Sequence, residues 1–355
     1  MDDHHQHTEH GYLPLYHTIR GETVESIHYG AIAAVDSSGN LIASYGNPST
    51  ISFLRSSSKP LQAISLIEQG GVERFQMTGK EIAVICASHS GTDRHLKTIY
   101  KLQKKIGISE SDLRCCTHLP FDPASRAKLR DQGLNPNQNH HNCSGKHTGM
   151  LALGKLMGYP IEGYTEPDHP IQKNILSVVS EMCGLESDQL QLGRDGCSVP
   201  AFGMPLLNAA QGWARLLDPV NVSGSRKAAC QVITRAMMKH PFYVAGPGRF
   251  DTRLMEVGRG KLVSKTGAEA FQALGILPGT FETGSPGLGI VVKIADGDIG
   301  KRARRAVILE ILNQLDVLST QQLSNLGDLG PVQELINQCQ IVVGKGKPCF
   351  QLKYS

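Results

Sequence analysis

Ser56 and Lys59 stand three residues apart in the run Arg55-Ser56-Ser57-Ser58-Lys59-Pro60. At a helix start, residues i and i+3 share a face, so the Lys59 amine is expected within reach of the Ser56 hydroxyl. A serine needs a base to become a nucleophile, and a neutral lysine is one recognised base. The spacing alone equally suits an N-cap serine beside a surface lysine, and three consecutive serines raise the chance of coincidence. A second element favours chemistry. Lys265-Thr266-Gly267 follows a β-type run late in the chain. A lysine with an ordinary pKa of about 10.4 is charged at neutral pH. Burial and a second nearby cation both favour its neutral form, so two converging lysines would keep one amine available as a base.

Three further stretches carry reactive groups. In Cys86-Ala87-Ser88-His89-Ser90-Gly91 an apolar run, read as a short strand, enters a polar turn whose first hydroxyl is Ser88. Such turns often hold functional groups, although helix capping by Ser90, Thr92 or Asp93 explains the composition as well. His141-Asn142-Cys143-Ser144-Gly145-Lys146-His147 opens a helix, with Cys143, Lys146 and His147 facing one way. Its Gly-Lys pair lacks the earlier glycine of a phosphate loop, since position 140 is His, so this run is rejected as a nucleotide-binding loop. Asp195-Gly196-Cys197 adds a carboxylate and another thiol. Cys143 with Cys197 could hold a soft cation such as zinc, but no paired C-x-x-C spacing supports this, and buried inert thiols are the plain alternative.

The elements that must position these groups are read from periodicity. Residues 27–46 form a hairpin, with Ile27–Val35 and Leu41–Tyr45 as strands. A helix spans 58–69, with Pro60 in its first turn and Gly70-Gly71 at its end. Another runs from Asp93 to about Lys105. The chain is then mostly helical to about 240, most clearly at 146–157, 170–182, 204–217 and 225–239. Strands return at Lys261–Lys265, at Gly289–Ala295 and near Ile341–Val343, with a helix over 301–317 between the last two. The fold class is therefore α/β: one sheet from N- and C-terminal strands, with a mostly helical central lobe at about 92–240. That layout is similar to serine β-lactamases and penicillin-binding proteins, whose S-x-x-K and K-T-G motifs have the counterparts Ser56–Lys59 and Lys265–Gly267.

Composition limits the alternatives. The 355 residues are 40% hydrophobic and 19% charged, a globular balance, and 36 basic against 32 acidic residues give only +4. The longest basic cluster, Lys301-Arg302-Ala303-Arg304-Arg305, opens an amphipathic helix and reads as a solvated face, so no nucleic-acid partner is expected. No run reaches the roughly 18 apolar residues of a membrane span, and the polar N-terminus lacks a signal-peptide core. Nine scattered cysteines point to a reducing compartment, and a cytoplasmic protein is expected. Residues 1–17, with His4, His5, His7 and His10, read as a flexible tail whose histidines would chelate metal only by accident. Residues 18–355 read as a single domain.

Together the blocks R-S-S-S-K-P, A-S-H-S-G, H-N-C-S-G-K-H, D-G-C-S-V-P and S-K-T-G-A-E resemble, in order, the L-asparaginase family of the Rhizobium etli type, also called asparaginase II or thermolabile asparaginase. The resemblance runs over residues 18 to 345. It implies a serine β-lactamase-like fold and a homodimer that hydrolyses L-asparagine to L-aspartate and ammonia. It implies two Ser–Lys tandems, Ser56 with Lys59 and Ser88 with Lys265, with Ser56 as nucleophile. It implies a zinc position ringed by Cys143, Lys146 and Cys197, and substrate contacts from Arg55 and Asp195, to which we add Asn142 and His147. A lysine ligand must lose its proton, so metal binding there would depend on pH. The rival readings are a glutaminase or β-lactamase-like serine amidohydrolase, a zinc-dependent amidohydrolase, and a non-catalytic binding protein.

Overall fold

The computed structural model describes residues 11–280 and 282–355. Its twelve strands are β1 (Leu13–Arg20), β2 (Thr23–Asp36), β3 (Leu41–Tyr45), β4 (Ile51–Phe53), β5 (Gln191–Arg194), β6 (Pro200–Pro205), β7 (Leu262–Thr266), β8 (Phe271–Ile276), β9 (Leu288–Ile294), β10 (Gln333–Ile336), β11 (Val342–Pro348) and β12 (Lys353–Tyr354). Nine form one antiparallel sheet along the path β10-β11-β1-β2-β9-β8-β7, with β3 beside β2 and β12 beside β3. The long β2 turns the sheet. Its first half pairs with β1, and its second half, Gly30–Asp36, pairs with β9. Strands from both ends of the chain share this sheet, and the class is α/β.

The second half of β2 is buried without a break from Gly30 to Asp36, because helices cover both faces. One cover is the Leu206–Leu217 helix, whose Trp213 is fully buried. It lies so close that a Cβ on Gly289 would stand 1.8 Å from the Ala210 carbonyl oxygen, which explains glycine as the second residue of β9. The Lys59–Glu68 helix is buried almost all round, its polar members included. Its start therefore sits deep in the molecule, which decides the surroundings of Lys59.

Three expectations need correction. The apolar run 82–87 is not a strand: Gly79–Ile85 is a helix, capped by Thr78, whose backbone N–H donates to Glu81 Oε2 at 2.7 Å. A fully buried helix and a buried strand show the same continuous apolar run, and the Thr78–Glu81 capping box was the distinguishing cue. The segment read as a tail to residue 17 already contains β1 from Leu13. Residues 4, 5, 7 and 10 lie outside the described residues. The region expected to be mostly helical, with no strand assigned in it, also includes β5 and β6, which form a second, three-stranded sheet with β4. Strands β8 and β10, too, carried no recognisable period. Among the described residues no helix is long and apolar enough to cross a membrane.

Candidate active site

Three elements deliver three side chains to one point. Lys59 comes from the first turn of its helix, Ser88 from the turn after the Gly79–Ile85 helix, and Lys265 from β7. The Lys59 amine donates to the Ala87 carbonyl at 2.6 Å and to Ser88 Oγ at 3.0 Å. Lys265 Nζ lies 2.8 Å from the same Ser88 Oγ and 2.8 Å from the Thr266 carbonyl. Both lysines are inaccessible, at 1% and 0% exposure. Burial, then the positive charge of Lys59, lowers the Lys265 pKa to about 7. One of the two amines is thus readily neutral, and a hydroxyl that can donate once and accept twice joins them.

Asp251 anchors the two residues that flank Lys265 in β7, together with Gln272 of β8. Ser264 Oγ and Gln272 Nε2 donate to Asp251 Oδ1 at 2.8 and 2.9 Å, and the Thr266 backbone N–H donates to Asp251 Oδ2 at 2.9 Å. Burial opposes ionisation of Asp251, but Lys265 and these three donors outweigh it and hold the carboxyl below the usual range. Asp251 was not singled out in the sequence. It carries no motif, and only the fold brings it under β7.

The three serines of the Ser56 run separate cleanly. Ser57 Oγ donates to the Leu54 carbonyl and Ser58 Oγ to the Arg55 carbonyl, each at 2.7 Å. Ser56 is half-buried, and its hydroxyl makes no hydrogen bond among the described residues. The expected Ser56–Lys59 bond is therefore not formed: the buried Lys59 amine takes the Ala87 carbonyl and Ser88 instead. Arg55, just before Ser56, has a φ of +51°, a left-handed conformation that non-glycine residues seldom adopt. Its Nε and Nη2 both reach Asp195 Oδ1 at 2.9 Å. The two expected substrate contacts thus pair with each other. Burial raises the Asp195 pKa, but Lys146 and Arg55 prevail and lower it.

Lys146 and Cys197 lie 2.9 Å apart, Nζ to Sγ. Sharing a hydrogen bond with Cys197 holds the Cys143 thiol well below its ordinary pKa, helped by Lys59 and Lys146, while Cys197 is pushed up. Burial opposes the charge on Lys146, but Cys197, Cys143 and Asp195 raise its pKa. His147 Nδ1 faces the Tyr164 hydroxyl at 2.6 Å, and its Nε2 is buried without a hydrogen-bond partner, with the Cys197 sulfur beside it. Asn142 donates from its backbone to His118 Nε2 at 2.9 Å, and its side-chain oxygen lies 3.5 Å from Cys143 Sγ. Among the described residues no three His, Cys, Asp or Glu groups could hold a metal by themselves. Two sulfurs with the Lys146 amine and the orphaned His147 nitrogen form a soft N/S donor set that suits zinc. Lys59 and Lys146 also line a common small void of about 10 Å³, which is otherwise walled mostly by apolar side chains such as Leu66, Ile85 and Met150.

His89 and His118 were not proposed as site residues. His89 Nε2 lies 2.9 Å from Ser144 Oγ, and its Nδ1 accepts the Gly91 N–H, so the ring braces the Ser88 turn against the Ser144–Met157 helix. His89 sits inside the A-S-H-S-G block, which was the available signal.

A hydroxyl shared by two buried amines, one readily neutral, is equipped for proton transfer in hydrolysis, and the protein is an amidohydrolase by its family. Residues 16–348 match the L-asparaginase II family model, and the chain belongs to that family. Among curated proteins none matches it. Solved structures similar to it include a probable glutaminase from Bacillus subtilis complexed with 6-diazo-5-oxo-L-norleucine, at 10% identity over 81% of this chain and 84% of that one, TM-score 0.37. A second is the covalent complex of a Bacillus subtilis glutaminase with 5-oxo-L-norleucine, at 11% identity over 82% and 89%, TM-score 0.37. A third is a Bacillus glutaminase at 10% identity over 81% and 91%, TM-score 0.36.

Proposed function

We propose that the protein hydrolyses the side-chain amide of L-asparagine, with Ser56 as nucleophile and the Lys59–Ser88–Lys265 chain as its base. The observation that carries this reading is the pair of lysine amines on one serine hydroxyl, 3.0 and 2.8 Å away. Ser56 is the accessible hydroxyl nearby and the one serine of its run not tied to the backbone.

The proton inventory balances. With Lys265 neutral and Lys59 charged, Lys59 passes a proton to Ser88 Oγ as the Ser88 proton moves to Lys265. Lys59 is then a free amine and takes the Ser56 proton. The Ser56 oxygen attacks the amide carbon, and the developing oxyanion would need preorganised donors, for which a backbone N–H at the helix start is the candidate. The C–N bond breaks, Lys59 returns its proton to the departing ammonia, and an aspartyl ester remains. Water attacks the ester with Lys59 as base, the ester C–O bond breaks, Lys59 passes that proton to the departing Ser56 oxygen, and aspartate leaves; Lys265 then returns its proton through Ser88 to Lys59. Arg55 and Asp195 match the opposite charges of the substrate α-carboxylate and α-ammonium, which would open their mutual ion pair. Cys143, Cys197 and Lys146 would hold zinc, with His147 and Asn142 around it. Bound there, zinc supplies positive charge beside the substrate, and the proton transfers stay with the chain's own residues.

The test is an asparagine analogue with a diazo ketone in place of the amide, followed by peptide mass mapping of wild type, Ser56→Ala and Ser88→Ala. The label is expected on Ser56, and only in proteins that keep it. A label on Ser88 would reverse the two serines, a reading that the direct amine contacts of Ser88 also favour. Ammonia release from asparagine and glutamine side by side checks the substrate, and faster turnover of glutamine would overturn the assignment.

A further inference from the structure

A second concavity, of about 970 Å³, opens on the outer side of the lobe, between the start of the Gly79–Ile85 helix, the exposed face of the Asp93–Ile106 helix and the Pro241–Val244 turn. Six exposed cations line it: Lys80, Arg94, Lys97, Lys101, Lys104 and Lys105. The one carboxylate in its wall, Glu81, is already taken by Lys105 at 2.7 Å. The groove thus holds a net of five positive charges, more than the formal +4 of the whole chain.

Among the described residues, folding gains no ion pair from the three central lysines of this groove. Lys97, Lys101 and Lys104 lie at i, i+4 and i+7 on one helix face, where like charges repel at a cost of a few tenths of a kcal/mol per pair. Among the described residues none of these three, nor Lys80, has a carboxylate partner. Two of the other cations are held by aromatic rings. The Arg94 guanidinium lies 3.9 Å from the Phe242 ring centre, and the Lys80 amine 5.8 Å from that of Tyr243. The charges from Arg94 to Lys105 span eleven residues of helix, or about 16 Å, and flexible lysine stems can draw their ends closer together. A concave wall of one sign concentrates its field and selects a compact ligand of high opposite charge.

We propose that this groove binds a polyphosphate chain, free or as the triphosphate tail of a nucleotide, at a site separate from the Ser88 lysines. A tripolyphosphate ion, close to five negative charges when ionised, matches the groove's excess. The test is calorimetric titration of the full chain with inorganic tripolyphosphate at physiological salt, repeated with ATP and with orthophosphate. Saturable one-to-one binding is expected, at least about tenfold tighter than orthophosphate and at least about tenfold weaker in Lys97→Glu/Lys101→Glu/Lys104→Glu. ATP binding more tightly than tripolyphosphate would assign the nucleotide, and equal binding the phosphate chain alone. Lys345→Glu/Lys347→Glu/Lys353→Glu, the same charge change at exposed positions near the C-terminus, should bind as wild type does. No saturable binding by wild type, orthophosphate as tight as tripolyphosphate, or equal weakening in both triple variants would overturn the proposal.

Discussion

Replacing Asp251 by Asn should move the acid limb of the pH–rate profile to lower pH. Asp251 accepts the Thr266 N–H at 2.9 Å, and the Thr266 carbonyl accepts the Lys265 amine at 2.8 Å. One residue therefore separates carboxylate from amine, a span of about 7 Å. At an effective dielectric of about 20, unit charges that far apart interact by about 2.4 kcal/mol. That is one to two pKa units, roughly, in favour of the protonated amine. Lys265 stands at about 7 with Asp251 present, and its other charged neighbours, Lys59, Arg249 and Cys143, stay in place. Arg304 and Arg249 lose the same counter-charge and push in the same direction. A base works in its neutral form, so activity rises as pH passes the amine pKa. Lowering that pKa carries the rise to more acid pH, by about one to two units. The assay is ammonia release from asparagine, read as kcat/KM across the acid and neutral range, with circular dichroism to confirm folding. An acid limb that stays put, or moves upward, in a folded variant would refute the assignment of Lys265 as the titrating base.

Two other perturbations probe different parts of the molecule. Glu68→Gln removes the carboxylate that pairs with Arg226 at 2.8 and 3.0 Å, where both side chains are at most 10% exposed. Breaking a buried pair costs about 3–5 kcal/mol, and because Glu181 still contacts Arg226, a loss of about 2–3 kcal/mol is expected in urea unfolding. A loss below about 1 kcal/mol would mean that Arg226 regains its hydration. Cys197→Ala should weaken zinc retention by at least about tenfold in competition with a chromogenic chelator, whatever the activity. Wild type that holds no zinc would remove the metal from the site. Where zinc only positions substrate, chelation raises KM more than it lowers kcat.

The sequence by itself determined the elements and the blocks. The 27–46 hairpin, the helix from residue 59 and the helices at 93, 170 and 224 were legible because each buries one recurring stripe or ends at a capping residue. Short, ordered blocks around Ser56, Ser88, Cys143, Asp195 and Lys265 marked the family. Where burial is complete the period disappears, and Ile82–Ile85 read as strand although it is helix. The tertiary structure alone decided who bonds with whom. Residues 59, 88 and 265 come from a helix, a turn and a strand, and their meeting turned two expected Ser–Lys tandems into a single hydroxyl between two amines. It also put Asp251 beneath β7 and gathered scattered lysines into one groove, because electrostatic fields follow distance in space, which spacing along the chain does not fix.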